Sequence, residues 1–183
     1  MKNGAMHIAG LSNFCRDVAA CQINEQTYYT CANFLFYTSC YEEWLFTKEK
    51  QQSPGNAEVI ANNLADQLDL EQYDAYGNHF CQRYLTAGTT NDNFRRLGLC
   101  GQSVAKVETA LKEFQAHQVR DTQLLWAYLM IAYRFRNNMF HGNKKLQNIN
   151  RYAREFNILN HFWDQFLRDV NTIGYDGFKS NHT

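Results

Sequence analysis

The sequence predicts an all-α protein that folds as a single domain. One proline, Pro54, and ten glycines among 183 residues leave long stretches without a helix breaker. Apolar residues recur at steps of three and four through most of the chain, which is the period of an amphipathic helix. Aromatic residues make up 15% of the chain, so we expect a packed core rather than disorder. No stretch looks like a linker, and the length fits one domain, residues 1–183.

The first half of the chain contains two long helical patterns. A weak helix at residues 11–21 falls in a segment, 1–24, that we interpret as an N-terminal extension. The next helix is expected at residues 26–50, with one stripe formed by Tyr29, Ala32, Phe36 and Cys40. A break with capping residues follows at 53–56. The apolar pattern then resumes and continues to about residue 85, through Ala57, Ile60, Leu64, Leu68, Tyr73, Tyr76, Phe80 and Tyr84.

In the second half, residues 87–91 are expected to form a loop, and Gly98 and Gly101 bracket a further irregular stretch. A helix marked by Val104, Val107, Leu111 and Phe114 should end near His117. Another helix is expected from residue 121 to 140. The last helix carries an unbroken stripe at three- and four-residue steps, formed by Ile149, Tyr152, Phe156, Leu159, Trp163, Phe166, Val170 and Ile173.

Such a stripe is typical of helices that pack nearly antiparallel in a bundle. It can pack in the core of one subunit, or part of it can form an interface with a second subunit. Residues 174–183 are expected to be a flexible tail.

Charge is distributed unevenly in a chain that is formally neutral. Residues 42–74 hold eight acidic residues against two lysines. Residues 122–154 hold no acidic residue but six cations, Arg134, Arg136, Lys144, Lys145, Arg151 and Arg154. Cations gathered in this way favour a phosphodiester substrate. The alternative is a solvated basic face that pairs with an acidic face elsewhere in the fold.

The basic segment contains Arg136, Asn137, His141 and Gly142 at the end of a strongly apolar helix. An arginine, a polar residue, three further residues and a histidine resemble the signature of the HEPN family. The resemblance implies an antiparallel helical bundle, and a homodimer in which two motifs line one cleft. It also implies an endoribonuclease that works without a metal or another cofactor, with Arg136, Asn137 and His141 as catalytic residues.

RNA supplies its own nucleophile, the ribose 2′-hydroxyl, so the chemistry needs few protein groups. His141 could accept or donate a proton near neutral pH, and Arg136 could bind two phosphate oxygens. The products would carry a 2′,3′-cyclic phosphate. Arg134, Lys144, Lys145, Arg151 and Arg154 are expected to contact the RNA backbone. At roughly 100° per residue, Arg136 and His141 lie about 140° apart on an ideal helix, so the helix must open near Met139 or the cleft must lie between subunits.

Two alternatives remain at this point. Arg136 could form a salt bridge with an acidic residue on a packed helix, while His141 caps its own helix. The chain would then be a catalytically silent HEPN-like module that binds RNA or a protein. As an enzyme, it would be a toxin or an antiviral defence effector, and a toxin would have an antitoxin protein as a further partner. Asn143 stands where one toxin branch carries a tyrosine, which argues against that branch.

The cellular location follows from what the sequence lacks. Its longest apolar run has about ten residues, too few to cross a membrane. Its N-terminus has no signal-peptide pattern, and its six cysteines form no CxxC pair. We therefore expect a cytoplasmic protein with reduced thiols and no membrane partner.

Overall fold

A computed structural model describes residues 23–47, 50–140 and 146–181. The weak helix expected at 11–21, and all but the last two residues of the expected N-terminal extension, lie outside the described residues. The described part is mostly helical, which confirms the all-α prediction. Its α-helices are α1 (Glu25–Leu45), α2 (Pro54–Leu64), α3 (Asp74–Tyr84), α4 (Asp92–Arg95), α5 (Gln102–His117), α6 (Thr122–Phe140) and α7 (Ala153–Ile173). None of these described helices combines the length and hydropathy needed to span a membrane.

Helix α6 occupies the centre of the core. All nine residues from 124 to 132 are buried, so the helix is covered on every side. It packs against α2 and α5, and its aromatic residues join it to the outer helices. The ring of Phe135 lies 6.1 Å from Phe34 in α1 and 5.4 Å from Phe156 in α7, both nearly edge to face. This central position fixes the end of α6 relative to α1 and α7.

The direction of neighbouring helices differs from one pair to the next. Contacts between α6 and α7 pair Phe135 with Phe156 and Tyr128 with Phe162, so these two helices run antiparallel, as expected. Along α1 and α7, by contrast, residue numbers rise together, from Phe34 beside Phe156 to Tyr41 beside Phe166. These two helices run parallel. They are far apart in the sequence, so no short loop forces them to be antiparallel.

The face that α1 buries is not the stripe read from the sequence. Its core side consists of Thr27, Thr30, Phe34, Thr38, Tyr41 and Leu45. Three of these are threonines, which an apolar pattern overlooks; Thr30 and Thr38 bond their hydroxyls to main-chain carbonyls one turn back. Tyr29 and Phe36 from the expected stripe instead point outward and are 45% and 68% exposed. The aromatic stripe of α1 is therefore a surface feature of the chain.

Two local details were also missed by the periodicity. Residues 57–85 are not one continuous pattern, because a 3-10 helix at Leu70–Tyr73 separates α2 from α3. The Asp69 carboxylate accepts a hydrogen bond from the amide of Glu71 at 3.3 Å and stabilises this turn. Part of the expected loop at 87–91 is a two-residue hairpin, β1 (Leu85–Thr86) against β2 (Thr89–Thr90), antiparallel. Positive φ angles at Ala87 and Gly88 suit its tight turn.

The segment expected to be a flexible tail packs against the fold. After the left-handed C-cap at Gly174, a 3-10 helix covers Gly177–Asn181. Gly177 approaches the main chain of Leu45 so closely that an added Cβ would lie 2.3 Å from its carbonyl oxygen. Phe178 packs on Phe46 with ring centres 5.7 Å apart. These contacts bring Lys179 to the end of α1, beside the cleft described below.

The stripe of the last helix belongs to the core of the single chain. Phe156, Leu159, Trp163, Phe166 and Val170 are at most 1% exposed, packed against α1 and α6. This burial fits the first interpretation, core packing within one subunit, and leaves those five side chains unavailable to a second subunit.

Candidate active site at the end of the motif helix

Helix α6 carries the first two motif residues, Arg136 and Asn137, near its C-terminal end. The side chain of Asp121 accepts a hydrogen bond from the amide of Leu124 at 2.9 Å and so caps the helix at its start. The helix then runs without a proline or glycine to Phe140. Because its middle is fixed by packing on all sides, the backbone that carries Arg136 and Asn137 is held rigidly. His141 directly follows the last helical residue but lies outside the described residues.

Arg136 contacts a carboxylate and an amide within the described residues. Its Nη2 lies 3.2 Å from Oε2 of Glu42, and its Nη1 donates to Oδ1 of Asn137 at 3.1 Å. The side chains of Arg136 and Glu42 are 30% and 29% exposed, so the pair is partly screened by water. Asn137 is only 8% exposed. A salt bridge with an acidic residue on a packed helix was the alternative that the sequence left open for Arg136, and it is present.

An open cleft of about 850 Å³ lies in front of this pair. Helices α1 and α6, the segment after α1 and the 3-10 helix near the C-terminus form its walls. Its lining is mostly polar and consists of Ser39, Glu42, Glu43, Phe46, Thr47, Gln51, Gln52, Tyr133, Arg136, Asn137 and Lys179. Opposite charges face one another here: Nζ of Lys179 lies 3.7 Å from Oε1 of Glu43. The cleft is large enough for a nucleotide-sized ligand. Among the described residues that line it, two carboxylates, Glu42 and Glu43, balance two cations, Arg136 and Lys179.

Glu42 and Lys179 were not among the residues expected at the site. Glu42 belongs to the acidic segment and Arg136 to the basic one, so the uneven charge distribution already hinted that these segments could meet. No pattern in the sequence indicates this particular pair, because 94 positions separate the two residues. Lys179 lies in the segment that the sequence predicts to be a flexible tail, and this part of the chain packs beside the cleft.

Arg134 faces a different part of the fold from Arg136. Its Nε donates to the carbonyl of Leu97 at 3.1 Å, and its guanidinium lies against Gly98. Asn138, which is 3% exposed, donates to the same carbonyl at 3.0 Å. Together they tie α6 to the turn after α4. The expected role of Arg134 as an RNA backbone contact therefore competes with a structural role that fixes this turn.

Of the remaining basic residues, the two that the structure describes, Arg151 and Arg154, do not line the Arg136 cleft. Arg151 is exposed in a 3-10 helix at Leu146–Tyr152. Arg154, in the first turn of α7, lines a second pocket together with His79. Lys144 and Lys145 lie outside the described residues, as His141 does. The described structure thus brings Arg136 and Asn137 together and places Arg134 and Arg154 elsewhere.

The thiols of the described part do not suggest a nucleophile. Cys31, Cys40, Cys81 and Cys100 are free cysteines. Burial raises the pKa of Cys31 and of Cys81 to about 11, so both stay protonated near neutral pH. Across the described ranges, no group of three or more histidine, cysteine or acidic side chains is arranged to hold a metal ion.

Comparison of the chain with known family models, with curated proteins and with solved structures gives no significant match.

Proposed function

We propose that this protein is a metal-independent endoribonuclease of the HEPN type, with its active site at the end of α6. The observation that carries the proposal is the placement of Arg136 and Asn137. Both line the same open cleft, at the rigid end of a buried helix, five and four positions before His141 in the sequence. A site that positions a cation and an amide rigidly, beside a cleft of nucleotide size, suits a reaction that depends on electrostatic stabilisation.

The proposed chemistry uses the 2′-hydroxyl of RNA as the nucleophile. His141 accepts the proton of this hydroxyl or donates one to the 5′-oxygen that leaves. Arg136 binds the phosphate oxygens, on which negative charge gathers as the 2′-oxygen attacks the phosphorus. Asn137 orients the guanidinium of Arg136, to which its Oδ1 is hydrogen-bonded. The products carry a 2′,3′-cyclic phosphate and a 5′-hydroxyl.

Glu42 has a defined place in this proposal. It holds the guanidinium of Arg136 against the cleft wall while no RNA is bound, at a distance of 3.2 Å. An RNA phosphate then competes with Glu42 for the same guanidinium, because the fork of N–H donors suits either anion. Glu42 keeps Arg136 in position but weakens the affinity for RNA.

A homodimer is part of the same proposal, and the outward stripe of α1 supports it. Tyr29 and Phe36 lie two turns apart on one face of α1 and are unusually exposed for aromatic residues. About one and two turns further along, the same helix contributes Ser39 and Glu43 to the cleft. A dimer formed through this stripe would bring the two clefts close to each other. It would also relieve the angular separation between Arg136 and His141 within one helix.

A second candidate is a catalytically silent HEPN-like module that binds RNA or a protein. The salt bridge between Arg136 and Glu42 favours it, because a guanidinium engaged by a carboxylate can serve packing alone. The enzyme and the silent module share the same fold and the same cleft. They differ in whether bound RNA is cleaved. As an enzyme, the protein would act in the cytoplasm as a toxin, with an antitoxin partner, or as a defence effector against viruses.

The test incubates purified protein with mixed RNA in the presence of a chelator. We expect cleavage by the wild type, no cleavage by His141→Ala and much slower cleavage by Arg136→Ala. His117→Ala is the matched control, because His117 is exposed at the end of α5 and does not line the cleft. Intact RNA at a high concentration of wild-type dimer, free of copurified protein, would refute the enzyme and leave the silent module.

A further inference from the structure

A second polar pocket lies between α3, α4 and α7. It has a volume of about 370 Å³ and is lined by His79, Gln82, Arg83, Asn91, Asn93, Arg154 and Glu155. It shares no lining residue with the Arg136 cleft. An imidazole, two guanidiniums and a carboxylate meet here on elements that are far apart in the sequence. A titratable side chain beside charged partners in a pocket marks a candidate functional site.

Three polar atoms in this cluster are buried and have no hydrogen-bond partner among the described residues. They are Nε2 of His79, Nε of Arg83 and the second carboxylate oxygen, Oε2, of Glu155. Glu155 as a whole is only 7% exposed. Buried polar atoms are nearly always satisfied in native proteins, so three in one pocket call for an explanation. A ligand with both acceptor and donor groups would satisfy all three.

The pocket carries an excess of positive charge. Arg83 is paired with Glu155 through Nη1 and Oε1. Arg154 is exposed and has no ion pair with any residue in the described ranges. Burial, and after it the nearby Arg154, lower the pKa of His79; Arg83 adds to this effect and Glu155 opposes it. The imidazole is therefore neutral at neutral pH, and an added anion would favour its protonation.

The pocket wall is fixed before any ligand binds. The side-chain amides of Asn91 and Asn93 both donate to the carbonyl of Arg83, at 3.0 and 3.3 Å. Oδ1 of Asn91 also accepts from the amides of Asn93 and Phe94, so it caps α4. These bonds hold the end of α3, and with it Arg83, against the short helix. His79 lies one turn before Arg83 on the same helix, so both side chains are presented together.

We infer that this pocket binds a phosphorylated nucleoside, with Arg154, Arg83 and His79 on the phosphate and Glu155 on a ribose hydroxyl. Donors that reach the pocket from α3 and α7 suit a tetrahedral oxyanion with several acceptor oxygens. Nε2 of His79 supplies a further donor once it is protonated. The carboxylate oxygen of Glu155 would repel a bare anion but accepts a hydrogen bond from a hydroxyl. This argues for an ester of ribose over inorganic phosphate. A free nucleotide and an RNA chain both present these groups.

The test measures binding of adenosine 5′-monophosphate to the full chain by calorimetry and by the NMR signals of His79. We expect saturable binding that raises the pKa of His79. Arg154→Ala should weaken this binding about tenfold or more, because it removes charged hydrogen bonds to phosphate. Arg151→Ala is the matched control, an equally exposed arginine three positions earlier that does not line the pocket. It should leave the affinity unchanged.

Further binding measurements distinguish a free nucleotide from an RNA chain as the ligand. Inorganic phosphate should bind more weakly than the monophosphate if Glu155 accepts from ribose. Competition by a short RNA without terminal phosphates would assign the pocket to the RNA backbone; its failure to compete would assign it to a free nucleotide. His79→Gln, which keeps a polar side chain of similar length, should also reduce the affinity.

Three results would overturn the inference: no saturable binding up to about 10 mM monophosphate, unchanged affinity in Arg154→Ala, or an equal loss in Arg151→Ala. The last would mean diffuse attraction by surface charge. The inference does not depend on the ribonuclease proposal. Arg136→Ala should slow RNA cleavage about 100- to 1,000-fold but leave the monophosphate affinity as it is, so the failure of either proposal can be recognised separately.

Discussion

The pair formed by Arg136 and Glu42 offers the sharpest way to separate catalysis from packing at the candidate site. The two atoms lie 3.2 Å apart, and each side chain is about 30% exposed. Pairs with such exposure contribute about 0.2–1 kcal/mol to the free energy of unfolding. Glu42→Gln, which keeps the shape of the side chain, should therefore lower the melting temperature by no more than about 2–4 °C for a domain of this size.

The same substitution, Glu42→Gln, should increase the affinity for RNA although it lowers stability. Removing the carboxylate that competes with phosphate should tighten RNA binding several-fold, by the roughly 1 kcal/mol that the ion pair holds. Arg136→Ala should cost a similar amount of stability but slow RNA cleavage about 100- to 1,000-fold, the range found for removal of one group that stabilises transition-state charge. Urea denaturation and single-turnover cleavage with labelled RNA measure the two effects on the same protein preparations.

Glu108→Gln is the control, since Glu108 forms an ion pair of similar exposure with Lys112 on α5, away from the cleft. It should match the stability change of Glu42→Gln and leave RNA affinity unchanged. A role of Arg136 in binding phosphate is refuted if Arg136→Ala unfolds the chain, or if Glu42→Gln loses as much activity as Arg136→Ala. Either result would mean that the ion pair serves the architecture of the cleft rather than the binding of phosphate.

Four further predictions concern stability and assembly. Gly77→Ala should destabilise the fold by about 1–3 kcal/mol in urea denaturation, because the added Cβ would lie 2.4 Å from the buried hydroxyl of Tyr128; unchanged stability would contradict the packing. Asn138→Leu should cost about 1–3 kcal/mol in the same assay, because it removes the hydrogen bonds that the buried Asn138 amide donates to the carbonyls of Arg96 and Leu97; a neutral result would contradict that role. Phe36→Glu should convert the dimer into monomers in sedimentation. A dimer that persists in this variant would contradict an interface through α1. The pKa of His79 is lower in the folded chain, so the unfolded chain binds more protons below about pH 6.5. The free energy of unfolding should therefore decrease as the pH drops through this window. His79→Gln should lessen this decrease, and an unchanged decrease would contradict the pKa shift.

Much of the helical framework was predictable because strong apolar periodicity and capping residues are local signals. The helix expected at 121–140 is found at Thr122–Phe140, and the preceding helix ends at His117 as expected. The buried face of α1 was not predictable in this way. Its threonines satisfy their hydroxyls on the helix backbone and so can be buried, whereas its exposed aromatic residues resemble a core stripe. Periodicity shows that a stripe exists but does not tell what covers it.

At the candidate site, Arg136 and Asn137 lie near the end of the helix that the apolar pattern predicted, and both line the cleft. The partners of the cations were beyond sequence reasoning for a physical reason. Arg134 is engaged by the main-chain carbonyl of Leu97, and every residue offers such a carbonyl, so no residue type signals it. Arg154 and His79 meet only because α7 packs beside α3. Their charges and spacing carry no sign of that meeting.

The central claim is that this chain cleaves RNA with a guanidinium and an imidazole and needs no metal. Its most direct test is mass spectrometry of the RNA ends formed by purified protein in excess chelator. We expect 2′,3′-cyclic phosphate and 5′-hydroxyl ends with the wild type. With His141→Ala, whose helical circular dichroism should be unchanged, we expect neither kind of end. Ends of another kind, cleavage that requires an added divalent ion, or equal cleavage by His141→Ala would contradict it.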